Sequence, residues 1–160
     1  MLHPWWVLAF MIAALVIFQI VGAIRMAGET EDFKTVYDGP PDEARIAQME
    51  SAGFPKIHRV VENSLSFGMT GDGHKLLVYV FDPGDWEKVR DSIGKNREWK
   101  NGVISEDRRG ELKHHGCPDD LLPRIGASDE DILISNIFGA YDWMMIDRRR
   151  GICYSLRIST

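Results

Sequence analysis

The chain has 160 residues, of which 24 are Asp or Glu, 19 are Lys or Arg, and 44% are hydrophobic. This composition excludes a disordered tail and the basic surface with which most nucleic-acid-binding proteins contact phosphates. We therefore expect a single globular domain and no nucleic-acid partner. Residues 1–25 contain one basic and no acidic side chain, so the acidic excess belongs entirely to the rest of the chain.

An apolar segment near the N-terminus is the clearest signal. Residues 5–24 carry no formal charge, and a helix of this length spans about 30 Å, which matches the hydrocarbon core of a bilayer. Trp5 and Trp6 at one end and Arg25 at the other are typical of membrane–water interfaces. The sequence predicts a transmembrane anchor over residues 1–25, with residues 5–24 integral to the membrane.

Two properties of this anchor stay open at this point. Small residues at 21–23 suit signal cleavage, whereas the lack of Lys or Arg before the apolar run favours a retained anchor. Arg25, Lys34 and Arg45 follow the span, which favours a cytoplasmic domain by the positive-inside rule. Analogy with N-terminally anchored bacterial proteins favours the opposite side. We expect a single-pass protein of a bacterial-type inner (cytoplasmic) membrane, with an extracytoplasmic C-terminal domain.

Beyond the anchor, polar residues 26–41 predict a tether, and residues 42–160 predict one globular domain. Apolar spacing and turn residues predict the first elements of that domain. They are a helix that begins at Pro41 or Asp42 and ends at Gly53, and strands at 57–62, 64–70 and 76–81. A second helix begins at Pro83, with Asp82 as its N-cap, and ends at Gly94. A hairpin turn at Gly71-Asp72-Gly73 joins the second and third strands. The unbroken apolar third strand indicates a central position with both faces covered.

The second half of the domain is harder to interpret. Residues 95–127 show no period, so they form a long functional loop or contain short hidden elements. A capping box at 128–131 predicts a short helix, with a strand as the alternative. Residues 141–147 and 152–159 flank a glycine-containing turn and predict a hairpin. The predicted fold is α+β: an antiparallel sheet of about five strands with two or three helices on one face.

The densest group of metal-ligand residue types lies at 113–120 and includes His114, His115 and Cys117. A tetrahedral zinc site needs two ligand pairs at defined spacings, and the second pair is missing. A polar loop is therefore the favoured interpretation, and we expect no cofactor. Cys117 could instead act as a nucleophile with His58 or His74, although nothing in the local sequence distinguishes such a pair from chance.

Two further features concern cysteine and arginine. The only cysteines are Cys117 and Cys153, which would form a disulfide in an oxidising compartment or stay as free thiols in the cytosol. Arg148, Arg149 and Arg150 at the hairpin tip create positive potential on an acidic domain, and are candidates for contact with an anion or a partner. The alternative is a solvated turn that protects the sheet from edge-to-edge pairing.

Two functions from different classes agree with these patterns. The favoured one is a non-enzymatic, membrane-anchored protein-interaction domain, such as an immunity-type inhibitor, an assembly subunit or a sensor. It would recognise a protein partner with the sheet face or with residues 95–127. The alternative is a small metal-dependent or Cys/His hydrolase that uses the loop at 113–120.

Overall fold

The computed structural model describes residues 33–67, 72–93, 97–127, 130–136 and 142–159. The predicted anchor over residues 1–25 and the first part of the predicted tether lie outside these residues. In the described part of the chain, no helix is long and apolar enough to cross a membrane. The anchor therefore stays a prediction from the sequence.

The described residues form one antiparallel sheet with three helices, so the α+β class is confirmed. The strands are β1 (Phe33–Gly39), β2 (Ile57–Phe67), β3 (Asp72–Phe81), β4 (Lys100–Asn101), β5 (Ile132–Asn136), β6 (Asp142–Asp147) and β7 (Ile152–Ser159). Their spatial order is β1-β2-β3-β7-β6-β5-β4. The helices are α1 (Glu43–Ser51), α2 (Trp86–Ile93), which follows a short 3-10 turn, and α3 (Glu106–His114).

The middle of the sheet consists of β3, β7 and β6, whose side chains alternate between two buried faces. Tyr154 on β7 lies opposite Val78 on β3 and Met145 on β6, and all three are fully buried. Cys153, one residue earlier, packs on the other face and is buried to the same extent. The apolar strand predicted at 76–81 is therefore central and covered on both faces, as expected.

Helices cover both faces of the sheet, so the prediction that they lie on one face is wrong. On the first face, Leu112 of α3 and Cys117 of the following loop belong to one apolar core. On the second face, Val89 of α2 and Met49 of α1 pack against a separate core. The physical reason is that β3 and β6 are apolar on both sides, and a single helical layer would leave one side in water.

The sheet in the described residues has seven strands rather than about five, and its first half differs from the prediction in three places. Asp72 and Gly73, which were predicted in the hairpin turn, are the first residues of β3 and pair with Phe67 and Ser66. The strand predicted at 57–62 and the described part of the strand predicted at 64–70 form one strand, β2, because Asn63 between them pairs in register with Val36 and Leu76. The tether prediction is wrong from residue 33, where β1 forms along β2.

The second half contains two more departures. The helix predicted from the capping box is wrong, because residues 132–136 form β5 between β4 and β6. A short apolar run is compatible with a helix or a strand, and here the pairing with β6 makes it a strand. Residues 95–127 contain β4 and α3. The helix predicted to end at Gly53 is confirmed as α1, and the hairpin after residue 141 as β6–β7. The helix predicted from Pro83 is confirmed as α2, although its first turn, Pro83–Asp85, is a 3-10 turn.

The β6–β7 hairpin is locked onto the end of β3. The backbone N–H of Phe81 donates to the carbonyl oxygen of Gly151 at 2.8 Å. Gly151 has φ +64°, and a Cβ at this position would collide with the carbonyl oxygen of Phe81. Only glycine combines this left-handed backbone with such a close approach. The hairpin tip is therefore a rigid platform for its arginines.

Candidate functional site

The three arginines at the hairpin tip have three different environments. The guanidinium of Arg148 lies 5.1 Å from the ring centre of Trp86, within the range of a cation–π contact. Arg149 is exposed, and its guanidinium has no acceptor in the described part of the chain. Arg150 turns inward to the loop that follows α3. The three arginines, which the sequence predicted together as anion or partner contacts, therefore have different roles.

Arg150 holds the loop at residues 118–122 against the sheet. One of its terminal nitrogens donates to the carbonyl oxygen of Leu122 and the other to that of Asp120, both at 2.7 Å. The buried hydroxyl of Tyr154 donates to the carbonyl oxygen between them, that of Leu121, at 2.5 Å. Hydrogen bonds from a charged donor are stronger than neutral ones, so this loop has a defined shape although it lacks regular structure.

The fixed loop and the hairpin tip enclose two adjoining depressions, of about 440 and 610 Å³, which we call the arginine groove. Both depressions are lined by Arg124, Ile125 and Arg150. Arg149 lines the first and Arg109 the second. Ile125 is 51% exposed, which is unusual for a large aliphatic side chain. The groove therefore combines guanidinium groups with one exposed apolar contact.

Acidic side chains also line the groove. Asp131 and Asp147 belong to the first depression, and Asp119 and Asp120 to the second. Burial raises the pKa of Asp147, the backbone N–H of Arg150 opposes this rise, and nearby Asp131 adds to it. The Asp147 carboxylate accepts that N–H at 3.0 Å, so it shapes the turn. The groove thus presents alternating positive and negative charge rather than a uniformly basic surface.

The predicted metal-ligand loop has a different arrangement. His114 ends α3 and is exposed, His115 is half-buried, and Cys117 is buried in the first core. Among the described residues, no group of three or more His, Cys, Asp and Glu side chains is placed to hold a metal ion.

The sequence offered His74 on β3 only as a partner for Cys117, but its ring lies against the histidines of this loop instead. Its ring centre lies 4.4 Å from that of His115, which in turn lies 5.0 Å from that of His114. Nε2 of His74 and Nδ1 of His115 are buried without a hydrogen-bond partner. Burial lowers the pKa of both imidazoles, and the neighbouring histidines lower it further. The alternation of β3 places His74 on the same face as Leu76, which is the signal available in the sequence.

The two cysteines are not joined. Both thiols are free and buried, and Cys117 and Cys153 belong to the cores on opposite faces of the sheet. The disulfide prediction is therefore wrong, because the sheet itself separates the two side chains. Burial raises the pKa of each thiol to about 12.

The suggested nucleophile pairs do not form either. The Cys117 thiol lies 3.8 Å from the carbonyl oxygen of Pro118, and in the described part of the chain it has no hydrogen bond to a histidine. Nε2 of His58 lies 3.1 Å from the carboxylate of Asp82, on the surface. His74 contacts His115 instead.

No protein-family model, no curated protein and no solved structure matches this chain. The arginine groove is the feature of the described structure that best indicates a function.

Proposed function

We propose that the chain is a membrane-anchored protein-interaction domain that binds an acidic segment of a partner protein in the arginine groove. The anchor in this proposal is the apolar stretch at residues 5–24, and the binding surface is the loop after α3 together with the β6–β7 hairpin. In this proposal, residues 95–127 remain the recognition element that the sequence predicts. The sheet face is the less favoured surface, because helices and loops cover the central strands on both faces.

The observation that carries the proposal is the state of Arg124 and Arg149. Both are exposed and line the same depression, and neither guanidinium has an acceptor on the described protein. Other arginines nearby are engaged, since Arg150 binds loop carbonyls and Arg59 binds Asp38. Guanidinium groups bind carboxylates in a bidentate manner, so two unpaired ones across a groove suit a segment with spaced Asp or Glu residues.

The composition of the groove favours a peptide over an anionic membrane surface. Asp119 and Asp120 are already paired with Lys113 and Arg59, but Asp131 would face a layer of lipid headgroups and repel it. A segment with separated carboxylates can avoid it. Exposed Ile125 lines the same depression as the two guanidinium groups and offers an apolar contact, as at the centre of many protein interfaces. The high pKa of the Cys117 thiol weighs against the hydrolase, because the reactive form of cysteine is the thiolate.

The experiment uses the full chain in nanodiscs of neutral lipid and a fluorescein-labelled decapeptide of alternating Glu and Leu. Fluorescence anisotropy should show salt-dependent binding, and Arg124→Gln/Arg149→Gln should weaken it at least tenfold. The matched control is Lys56→Gln/Lys88→Gln, which removes the same charge from exposed positions outside the groove. Equal weakening by both double variants would contradict the proposal. Binding to phosphatidylserine vesicles without binding to the peptide would also contradict it.

A further inference from the structure

Among the described strands, the first one, β1, has an unpaired edge. It pairs with β2 on one side and is the outermost strand in the order of the described sheet. Its seven residues contain no proline, and its register with β2 runs without a bulge. The opposite edge strand, β4, has only two residues. Long, regular edge strands expose backbone N–H and C=O groups that can bind another strand, and β1 has none of the usual protections except charge.

The exposed side chains of β1 are, in chain order, positive, apolar and negative. Lys34, Val36 and Asp38 share one face and are exposed, and Val36 is 66% exposed. Lys34 has no acidic partner in the described part of the chain. Asp38 is bound by Arg59 at 2.6 and 2.8 Å. A carboxylate has about four lone-pair positions, so Asp38 can accept one more donor.

We propose that two copies of this chain pair through β1 in antiparallel orientation, with Val36 of one copy opposite Val36 of the other. In this register Lys34 of each copy lies opposite Asp38 of its partner. The pairing therefore aligns one apolar contact and two opposite-charge contacts on the same face. It joins the two sheets into one continuous sheet around a two-fold axis.

The charge order selects this register among the alternatives. Directly opposed residues in an antiparallel pair lie on the same face of the sheet. The alternative registers of the two β1 strands are therefore those in which exposed residues stay opposite exposed residues. A two-fold centre at Thr35 would place Val36 opposite Lys34, and a centre at Tyr37 would place it opposite Asp38. Only the centre at Val36 gives every exposed residue a complementary partner.

The predicted anchors permit such a pair in one bilayer. With the centre at Val36, the two Phe33 residues lie about 20 Å apart along the strands, at about 3.3 Å per residue. The seven residues 26–32 of each copy can extend by up to about 23 Å, so both chains can reach the same membrane. The pairing depends on β1 alone and does not rest on the proposed partner-binding function.

Cysteine cross-linking of the full chain in nanodiscs tests the register. Both native cysteines are buried, so Val36→Cys would supply an accessible thiol. Mild oxidation should link most of this variant into a dimer within minutes. Lys34→Cys is the matched control, because in the proposed register the two introduced thiols lie about 13 Å apart along the strands and should not link. Equal linking of both variants, or no linking of Val36→Cys, would overturn the proposal.

A second experiment tests the charge pairs in the same Val36→Cys background. Lys34→Glu places a glutamate opposite Asp38 at both ends of the paired strands and should slow cross-linking about tenfold. The control Lys56→Glu lies outside β1 and should leave the rate unchanged. Lys34→Glu/Asp38→Lys restores opposite charges and should recover the rate. A variant with Lys34→Glu that links as fast as the parent would refute the pairing, and so would one that is slowed no more than Lys56→Glu.

Discussion

Arg150→Met should loosen the loop after α3 while the rest of the domain stays folded. The substitution keeps much of the aliphatic stem but removes the two 2.7 Å donations to the carbonyl oxygens of Asp120 and Leu122. A hydrogen bond from a charged group contributes about 1.5–3 kcal/mol, and water can replace the more exposed bond to Asp120. We therefore expect a local loss of about 2 kcal/mol. This corresponds to roughly thirtyfold faster amide exchange in residues 119–122.

Hydrogen exchange of the full chain, followed by mass spectrometry, measures this loss. Arg149→Met is the control, since that guanidinium has no acceptor in the described chain, and it should leave exchange within about twofold of the wild type. Arg150→Lys should be intermediate, because an ammonium group cannot reach two carbonyls as a planar fork can. Exchange in Arg150→Met within threefold of the wild type would show that the loop does not depend on this side chain.

Three other predictions concern stability and reactivity. Because burial lowers the pKa of His74 and His115, the unfolded chain binds more protons as the pH falls below about 6.5. Urea titrations should therefore show the unfolding free energy falling between pH 7.5 and 5.5, by up to about 1.4 kcal/mol per pH unit per proton. His74→Leu/His115→Leu should flatten this slope, and an unchanged slope would contradict the assignment. Gly151→Ala should lower the thermal midpoint by several degrees, whereas Gly84→Ala, whose Cβ meets no atom within 4 Å, should lower it less. Both native thiols should resist a disulfide reagent at pH 8 until urea unfolds the chain, and prompt labelling of the folded protein would reopen the hydrolase hypothesis.

The elements that the sequence predicts well are those with a strong local pattern. The arm of the hairpin at Ile152 and Tyr154 alternates cleanly, and the following residues continue the pattern. By contrast, β1 is half-exposed and polar, and it is stabilised by pairing with β2 rather than by burial of its own side chains. Helix α3 buries only Leu112, so it has no apolar stripe from which a helix could be recognised.

The candidate site was visible only in part. The sequence singles out Arg148, Arg149 and Arg150, but it cannot assign them different roles. The carbonyl oxygens that bind Arg150 lie about thirty residues earlier in the chain. Arg124 and Ile125 lie in a stretch without periodicity, where no local rule marks exposed residues. The separation of the two cysteines by the sheet likewise depends on how distant strands pair.

The place of β7 in the sheet has a consequence for how the protein folds during synthesis. Strands β1, β2 and β3 are consecutive neighbours and can pair as soon as they emerge from the ribosome. Their partner β7 is translated about seventy residues after β3, and it also holds β6 and β5 to the sheet. Until then the inner edge of β3 stays open and both cores are incomplete. Contacts of such long sequence separation slow folding, so a chain that stalls before β7 would expose its most apolar strand and depend on chaperones.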